Sequence, residues 1–242
     1  MSELVYYDLK QSSAVALSMP VQVARELGRR IVAGTYETGT MIDEENTLAE
    51  RYKVSRVVVR DAVKILVGKG LLDVRRGIGT RIRSRDKWVM LDDDVLAWHL
   101  SAPPNPDFLK QLMDVRLAFE PKASRWAAER GTSEDISAIS DAFNKMENEK
   151  GSIENFVIAD AIFHRTILRA AHNEFLKAME GVIYSALLVS IKITNSDPRE
   201  NDSSISFHRD LLDAIARRDG DLAESLTERL LVDARSRLDS EM

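Results

Sequence analysis

Asp160 and His164 stand four residues apart in ADAIFHRTIL, and His208 follows in SISFHRDLLDAI. On a helix that spacing lays the first two side chains on one face, about a turn apart. A carboxylate and an imidazole so placed either pair with each other or share a divalent ion such as zinc, and His208 would complete a three-ligand set. Ile162, Phe163 and Ile167 fill the neighbouring positions, so the pair would be surrounded by apolar side chains. His99 and His172 have no comparable partners and read as surface or capping residues. Arg116, among Leu112, Val115 and Phe119, has two readings: an internal ion pair with Glu120 at i+4, or a guanidinium gripping a carboxylate in bidentate fashion. Arg235 and Arg237 are either helix-end charges, favourable against the dipole, or pocket residues.

A second set of residues suits nucleic acid. Arg56, Arg60 and Lys64 recur every four residues and form one basic stripe, while Val59, Val63 and Leu66 give the same helix an apolar face. Ser55 is placed to cap it. Before it, Leu48 and Ala49 mark the inner face of a short helix ending near Lys53. After it, Gly70 stops the helix, and two short strands, about 71–75 and 80–83, flank a tip of Arg76, Gly77 and Gly79. A short helix, a tight turn, a capped basic helix and a glycine-bearing hairpin within forty residues predict a winged helix-turn-helix. Such a device sets one helix in the DNA major groove and touches phosphates with the hairpin.

The elements that must hold these residues follow from periodicity and punctuation. Val21–Ala33 is predicted to be a helix packed under the helix-turn-helix pair, 84–87 a charged linker, and Asp92–Leu100 a short helix ended by Pro103, Pro104 and Pro106. Helices are predicted over 107–130, 134–150, 152–171, 174–194, 203–218 and 222–238, with a capping-box pattern at Thr132 and Asp135 and Pro121 inside the first. The fold class is therefore mainly α: an N-terminal winged helix-turn-helix and a C-terminal all-α bundle able to hold a polar pocket. The expected organisation is a loose arm over 1–19, the DNA-binding domain over 20–86, a linker with a short helix over 87–106, and an effector-binding and dimerisation domain over 107–242.

Charge divides the same way. From Val21 to Lys87 there are 15 Lys/Arg against 9 Asp/Glu, a net of +6; from Trp88 onward there are 18 against 28, a net of −10. A basic module joined to an acidic one fits nucleic acid for the first and a different partner for the second. The absence of cysteine excludes disulfides, thiolate nucleophiles and cysteine-ligated zinc. The longest apolar run, 182–193, is too short and too polar to span a bilayer, and the N-terminus lacks the order of a signal peptide. A cytoplasmic protein without a membrane partner is expected.

The stretch LAERYKVSRVVVRDAVKILVGKGLL resembles the signature of GntR-type bacterial transcription regulators. The motifs VRLAFEPKASRWAAER, DAIFHRTIL, AHNEFL and FHRDLLDAIARRDGDLAE resemble the effector (FCD-like) domain of the FadR branch. Within it, LDDDVLAWHL and FEPKASRWAAERGTSEDI are similar to repressors of D-galactonate utilisation. The resemblance covers about residues 20–240. It implies a homodimer on a short inverted repeat of double-stranded operator DNA, controlled by a small carboxylate or sugar acid. It implies guanine reading by Arg56 and Arg60 and a wing tip at Gly77 and Gly79. Two departures stand out. Asn46 occupies a position that is often a DNA-contacting arginine, so the operator should differ from the common one. Many members bind metal with one Asp and three His; Asp160, His164 and His208 match three positions, and Leu230 stands at the last. One coordination site would then remain for water or effector, with Arg116 and Arg237 as carboxylate or hydroxyl partners.

A repressor of an aldonate-type operon is the expected function. Alternatives are a regulator of the same family sensing another carboxylate, a metal-dependent hydrolase, and an architectural DNA-binding protein. No obvious general base favours the hydrolase, and buried Asp, His and Arg are costly in a protein that senses nothing.

Overall fold

The computed structural model describes residues 18–182 except 104, then 184, 185, 188 and 201–240; side chains are not described for 100, 101 and 201–203. The expected N-terminal arm up to residue 17, and the predicted helix beyond 188 to Thr194, lie outside the described residues. The chain divides near residue 103 into two compact units.

In the first unit, helix α1 (Met19–Val32) starts with Pro20 in its first turn, where a missing N–H costs nothing, and buries Val23, Ala24, Leu27 and Ile31. Helix α2 (Glu45–Tyr52) turns Leu48 and Ala49 inward and ends at Lys53, which takes the left-handed conformation at φ 53°. Helix α3 (Arg56–Gly68) opens where the Ser55 hydroxyl accepts from the Val58 N–H at 3.3 Å. Its 3.6-residue period buries Val59, Ala62, Val63 and Leu66 and leaves the charged stripe outside. The chain then reverses at Gly70, φ +77°, where a Cβ would lie 2.3 Å from the Lys87 carbonyl oxygen. Strands β1 (Leu72–Arg75) and β2 (Gly79–Ile82) pair antiparallel, Leu72 opposite Ile82 and Arg75 opposite Gly79. Leu72 and Ile82 close the core from one face of this hairpin.

The expected short helix is α4 (Asp93–Ser101), and it belongs to this core. The Asp92 carboxylate caps it, accepting from the N–H groups of Asp94 and Val95 at 3.0 and 3.1 Å. Trp98 lies so close to α1 that a Cβ on Gly28 would come within 2.3 Å of its ring. Lys69 bridges Asp92 and Asp94 at 2.8 and 2.6 Å.

One expectation is corrected here. His99, read as a surface or capping residue, is buried at 9% exposure, because α4 packs on α1 rather than lying on the surface. Its Nδ1 donates to the Val95 carbonyl at 2.7 Å, and Nε2 accepts from Arg85 at 3.1 Å. Burial, with the Arg85 charge adding to it, pushes the imidazole down to about 4. Between about pH 6.5 and 4 the unfolded chain therefore binds a proton that the folded chain refuses, so stability present above 6.5 is lost as pH falls. The loss is on the order of 3 kcal/mol. Urea titrations from pH 7 to 4.5 followed by tryptophan fluorescence should show it, and His99→Gln should flatten the slope. An unchanged slope in that variant would assign the titration elsewhere.

The second unit is helical throughout its described residues. Helices α5 (Pro106–Arg130), α6 (Ser133–Asn148), α7 (Ile153–Ala170) and α8 (Glu174–Ala178) are each capped by a side chain, from Asn105, Thr132, Ser152 and Asn173 respectively. The Thr132–Asp135 capping box forms as the sequence predicts. Helices α9 (Asn201–Ala216) and α10 (Gly220–Ser240) follow. Helix α5 packs along α10 and α7, and α6 along α7 and α9. Phe143, Phe156, Phe163, Ile167, Leu211 and Ile215 fill the space between them.

Candidate DNA interface and buried Asp/His site

On the first unit the predicted DNA residues stand where a groove could reach them. Asn46 is exposed on α2, Ser55 heads α3, and Arg56, Arg60 and Lys64 are exposed along its outer side. Arg76, Gly77 and Gly79 form the exposed hairpin tip, with Gly77 at φ +76° and Gly79 at φ +124°. The hairpin also carries Arg75, Arg81 and Arg83, which with Lys87 line a cleft of about 550 Å³.

The stripe is not uniform. Arg60 is held by Glu45 of α2, Nε to Oε1 at 3.2 Å and Nη2 to Oε2 at 2.8 Å. The guanidinium keeps the Glu45 carboxyl below the usual carboxylate range. This fork uses two of the five N–H donors and leaves the Nη1–Nη2 end, the edge that matches guanine O6 and N7. Lys64 pairs with Asp61 at 2.9 Å. Arg56 makes no ion pair among the described residues and faces solvent. Sequence reasoning missed Glu45 as a partner, because the two residues lie on different helices fifteen positions apart.

In the second unit Asp160 and His164 on α7 meet His208 on α9, all three buried, with one ligand atom from each within 4.8 Å of the others. His208 Nδ1 donates to the Ser204 carbonyl at 2.6 Å, and His164 Nδ1 donates to Glu120 Oε2 at 3.0 Å. In the neutral form each of these tautomers leaves a lone pair on Nε2; the two nitrogens are 3.4 Å apart, within hydrogen-bond reach when either carries a proton. Asp160 Oδ1 lies 3.0 Å from His208 Nε2 and 3.3 Å from His164 Nε2, yet it makes no hydrogen bond of acceptable geometry. Three potential acceptors thus converge on one point, a donor set that a proton or a metal cation could occupy.

A proton fits that point in part. Burial alone would lower the His164 imidazole, but the Glu120 and Asp160 carboxylates outweigh it and push it up to about 9. Burial would raise Asp160, but the two histidines hold it well below the usual carboxylate range. A divalent ion fits the same donors: one carboxylate and two imidazoles with preset tautomers, each backed by a second acceptor.

Arg116 resolves to the ion pair. Its Nε donates to Glu120 Oε1 at 2.6 Å, both side chains being buried, and together with His164 it brings the Glu120 carboxyl down to about 2 against the opposing effect of burial. Glu120 thus joins Arg116 to His164, a link that only the packing of α5 on α7 creates. Arg237 pairs with Asp233 at 3.0 Å on α10. Arg235 pairs with Asp114 of α5. His172 lies at the end of α7 with φ 47° and contacts Asp135 at 2.7 Å, as a capping residue would. Leu230 is buried on α10.

No helix of the described residues is long and apolar enough to cross a membrane. Residues 20–82 match the bacterial regulatory proteins of the gntR family, and residues 111–233 match the FCD domain. The galactonate operon transcriptional repressor of Escherichia coli K12 is 32% identical over 225 residues, covering 93% of this chain and 98% of its own length. The Glc operon transcriptional activator of the same strain is 25% identical, covering 81% and 79%. Among solved structures, the Listeria monocytogenes protein Lar shares the fold at a TM-score of 0.67 and 16% identity, covering 94% of this chain and all of its own (100%). The Streptococcus agalactiae GntR protein shares it at 0.51 and 23%, covering 90% and 99%. The chain belongs to the gntR family of bacterial transcriptional regulators, with an FCD domain behind its DNA-binding domain, and is a regulator rather than an enzyme.

Proposed function

We propose that this regulator is a cytoplasmic homodimer that represses a sugar-acid operon and leaves its operator when an aldonate such as galactonate binds the helical unit. The observation that carries the sensing half is Asp160 Oδ1, buried between two imidazole nitrogens without a hydrogen bond. Such an arrangement is costly to keep unless something charged occupies it. The name of the galactonate repressor relative supports the chemical class.

Asn46, Ser55, Arg56, Arg60, Lys64, Arg76, Gly77 and Gly79 form the DNA contact in this reading. Asp160, His164 and His208 hold a divalent ion, zinc or a similar one, which supplies a Lewis-acidic point for a carboxylate and its neighbouring hydroxyl. Glu120 and the Ser204 carbonyl keep the two imidazoles in the ligating tautomer. Arg116 and Arg237 are the proposed effector partners, each by exchanging part of its present pairing, with Glu120 and Asp233 respectively, for the effector. Coupling then needs an effector affinity that differs between the DNA-competent and DNA-incompetent forms, typically by about 1–3 kcal/mol.

The test is a gel shift on DNA from the chain's own upstream region, titrated with galactonate, gluconate and unrelated carboxylates, with metal analysis of the purified protein. Release by aldonates is expected. Release by another carboxylate alone would assign a different acid, and no response to any acid would refute the sensor. His164→Ala should bind operator normally and ignore the effector; a normal response in protein found free of metal would refute the metal-bridged pocket.

A further inference from the structure

The outer strip of α3 holds two residues that charge does not explain, Val57 in its first turn and Val67 in its last. Helix geometry puts Val59, Ala62, Val63 and Leu66 in the core and Arg56, Val57, Arg60, Asp61 and Lys64 outside. Four of those five are charged. Val57 is 66% exposed, whereas its neighbour Val58 packs against the core. A β-branched side chain at an exposed helical position has lower helix propensity than alanine and buries nothing here in return.

Isolated exposed apolar residues are common and need no explanation by themselves. Position distinguishes this one. It is on the first turn of α3, between Arg56 and Arg60, and the first turn of such a helix is the part that meets base edges. Its surroundings are basic, which favours DNA over a protein or lipid occupant. In the major groove the one apolar group offered by any base pair is the thymine 5-methyl.

We infer that Val57 is a specificity-determining residue that packs on the 5-methyl group of a thymine in each operator half-site. The inference rests on α3 being the recognition helix. Val57 and Arg60 are three residues apart on one face, so the thymine neighbours the guanine that Arg60 reads. Glu45 fixes the Arg60 guanidinium by its two hydrogen bonds. The methyl and the guanine edge are therefore presented to a rigid pair of side chains.

The experiment uses the full chain and an operator fragment defined by footprinting. Each thymine of the half-site is replaced, symmetrically, by deoxyuridine, which removes the methyl and nothing else. Wild-type protein should lose affinity at one position, roughly fourfold per half-site and about fifteenfold over both, the worth of one buried methyl each time. Val57→Ala should bind the thymine operator more weakly and be indifferent to deoxyuridine at that position, with a melting temperature unchanged or slightly raised. Wild-type indifference to deoxyuridine at every thymine would overturn the inference, as would a Val57→Ala protein that keeps the full sensitivity. Failure of the underlying reading has a separate signature: Arg60→Ala would then hold the operator as tightly as wild type.

Discussion

Arg60→Ala is expected to abolish operator binding while the helical unit keeps its fold and its ligand. A bidentate arginine–guanine contact is worth about 1–3 kcal/mol, and a dimer loses it at both half-sites, so affinity should fall by roughly thirtyfold to twenty-five-thousandfold. The fork between Arg60 and Glu45 makes the alanine variant worse than a simple deletion, because the Glu45 carboxylate is then left uncompensated beside phosphate. Arg56→Ala should be nearly as severe. Fluorescence anisotropy on operator and on scrambled DNA separates the two parts of the effect. Loss confined to the operator marks base reading, equal loss on both marks phosphate contact, and wild-type affinity in either variant would remove these arginines from the interface.

The second large effect is expected at Glu120, in the unit that does not touch bases. Replacing it by alanine takes a buried carboxylate from the buried Arg116 guanidinium and the acceptor from His164 Nδ1. Breaking a buried ion pair from one side costs about 3–5 kcal/mol, far above the figure for exposed pairs such as Arg209 with Glu147. Metal uptake should also weaken, by about 10–100-fold, since the imidazole loses the partner that sets its tautomer. Urea unfolding and metal analysis of the same preparation read the two effects independently. Stability within about 0.5 kcal/mol of wild type would mean that the pair is not held as described.

What was legible in the sequence was what is local. Ser55, the 3.6-residue period of α3 and the Thr132–Asp135 box all depend on neighbours within a turn, and each forms as read. The Asp160–His164 pairing was legible for the same reason, and His208 because few histidines exist to choose from. Glu120 to His164 and Glu45 to Arg60 were not, because each contact joins two helices whose rotation about their axes only packing determines. His99 shows the opposite failure. A polar residue was read as surface when its helix is pinned to α1 by Trp98 against Gly28. Polarity alone could not reveal a site where the Val95 carbonyl and Arg85 satisfy both ring nitrogens.

The separation of inner and outer faces on α3 has a consequence for how such a protein can change its target. Arg56, Val57, Arg60 and Lys64 are all exposed and none contributes to the core. With the DNA contacts proposed above, new side chains at these positions would retarget the protein to another promoter without the stability cost that usually slows adaptation. Glu45 is the exception, tied to whatever occupies position 60, so the two should be exchanged together. A graft of five residues onto a relative's DNA-binding domain would be the smallest unit of inheritance for operator preference, leaving the sensor to evolve on its own timetable.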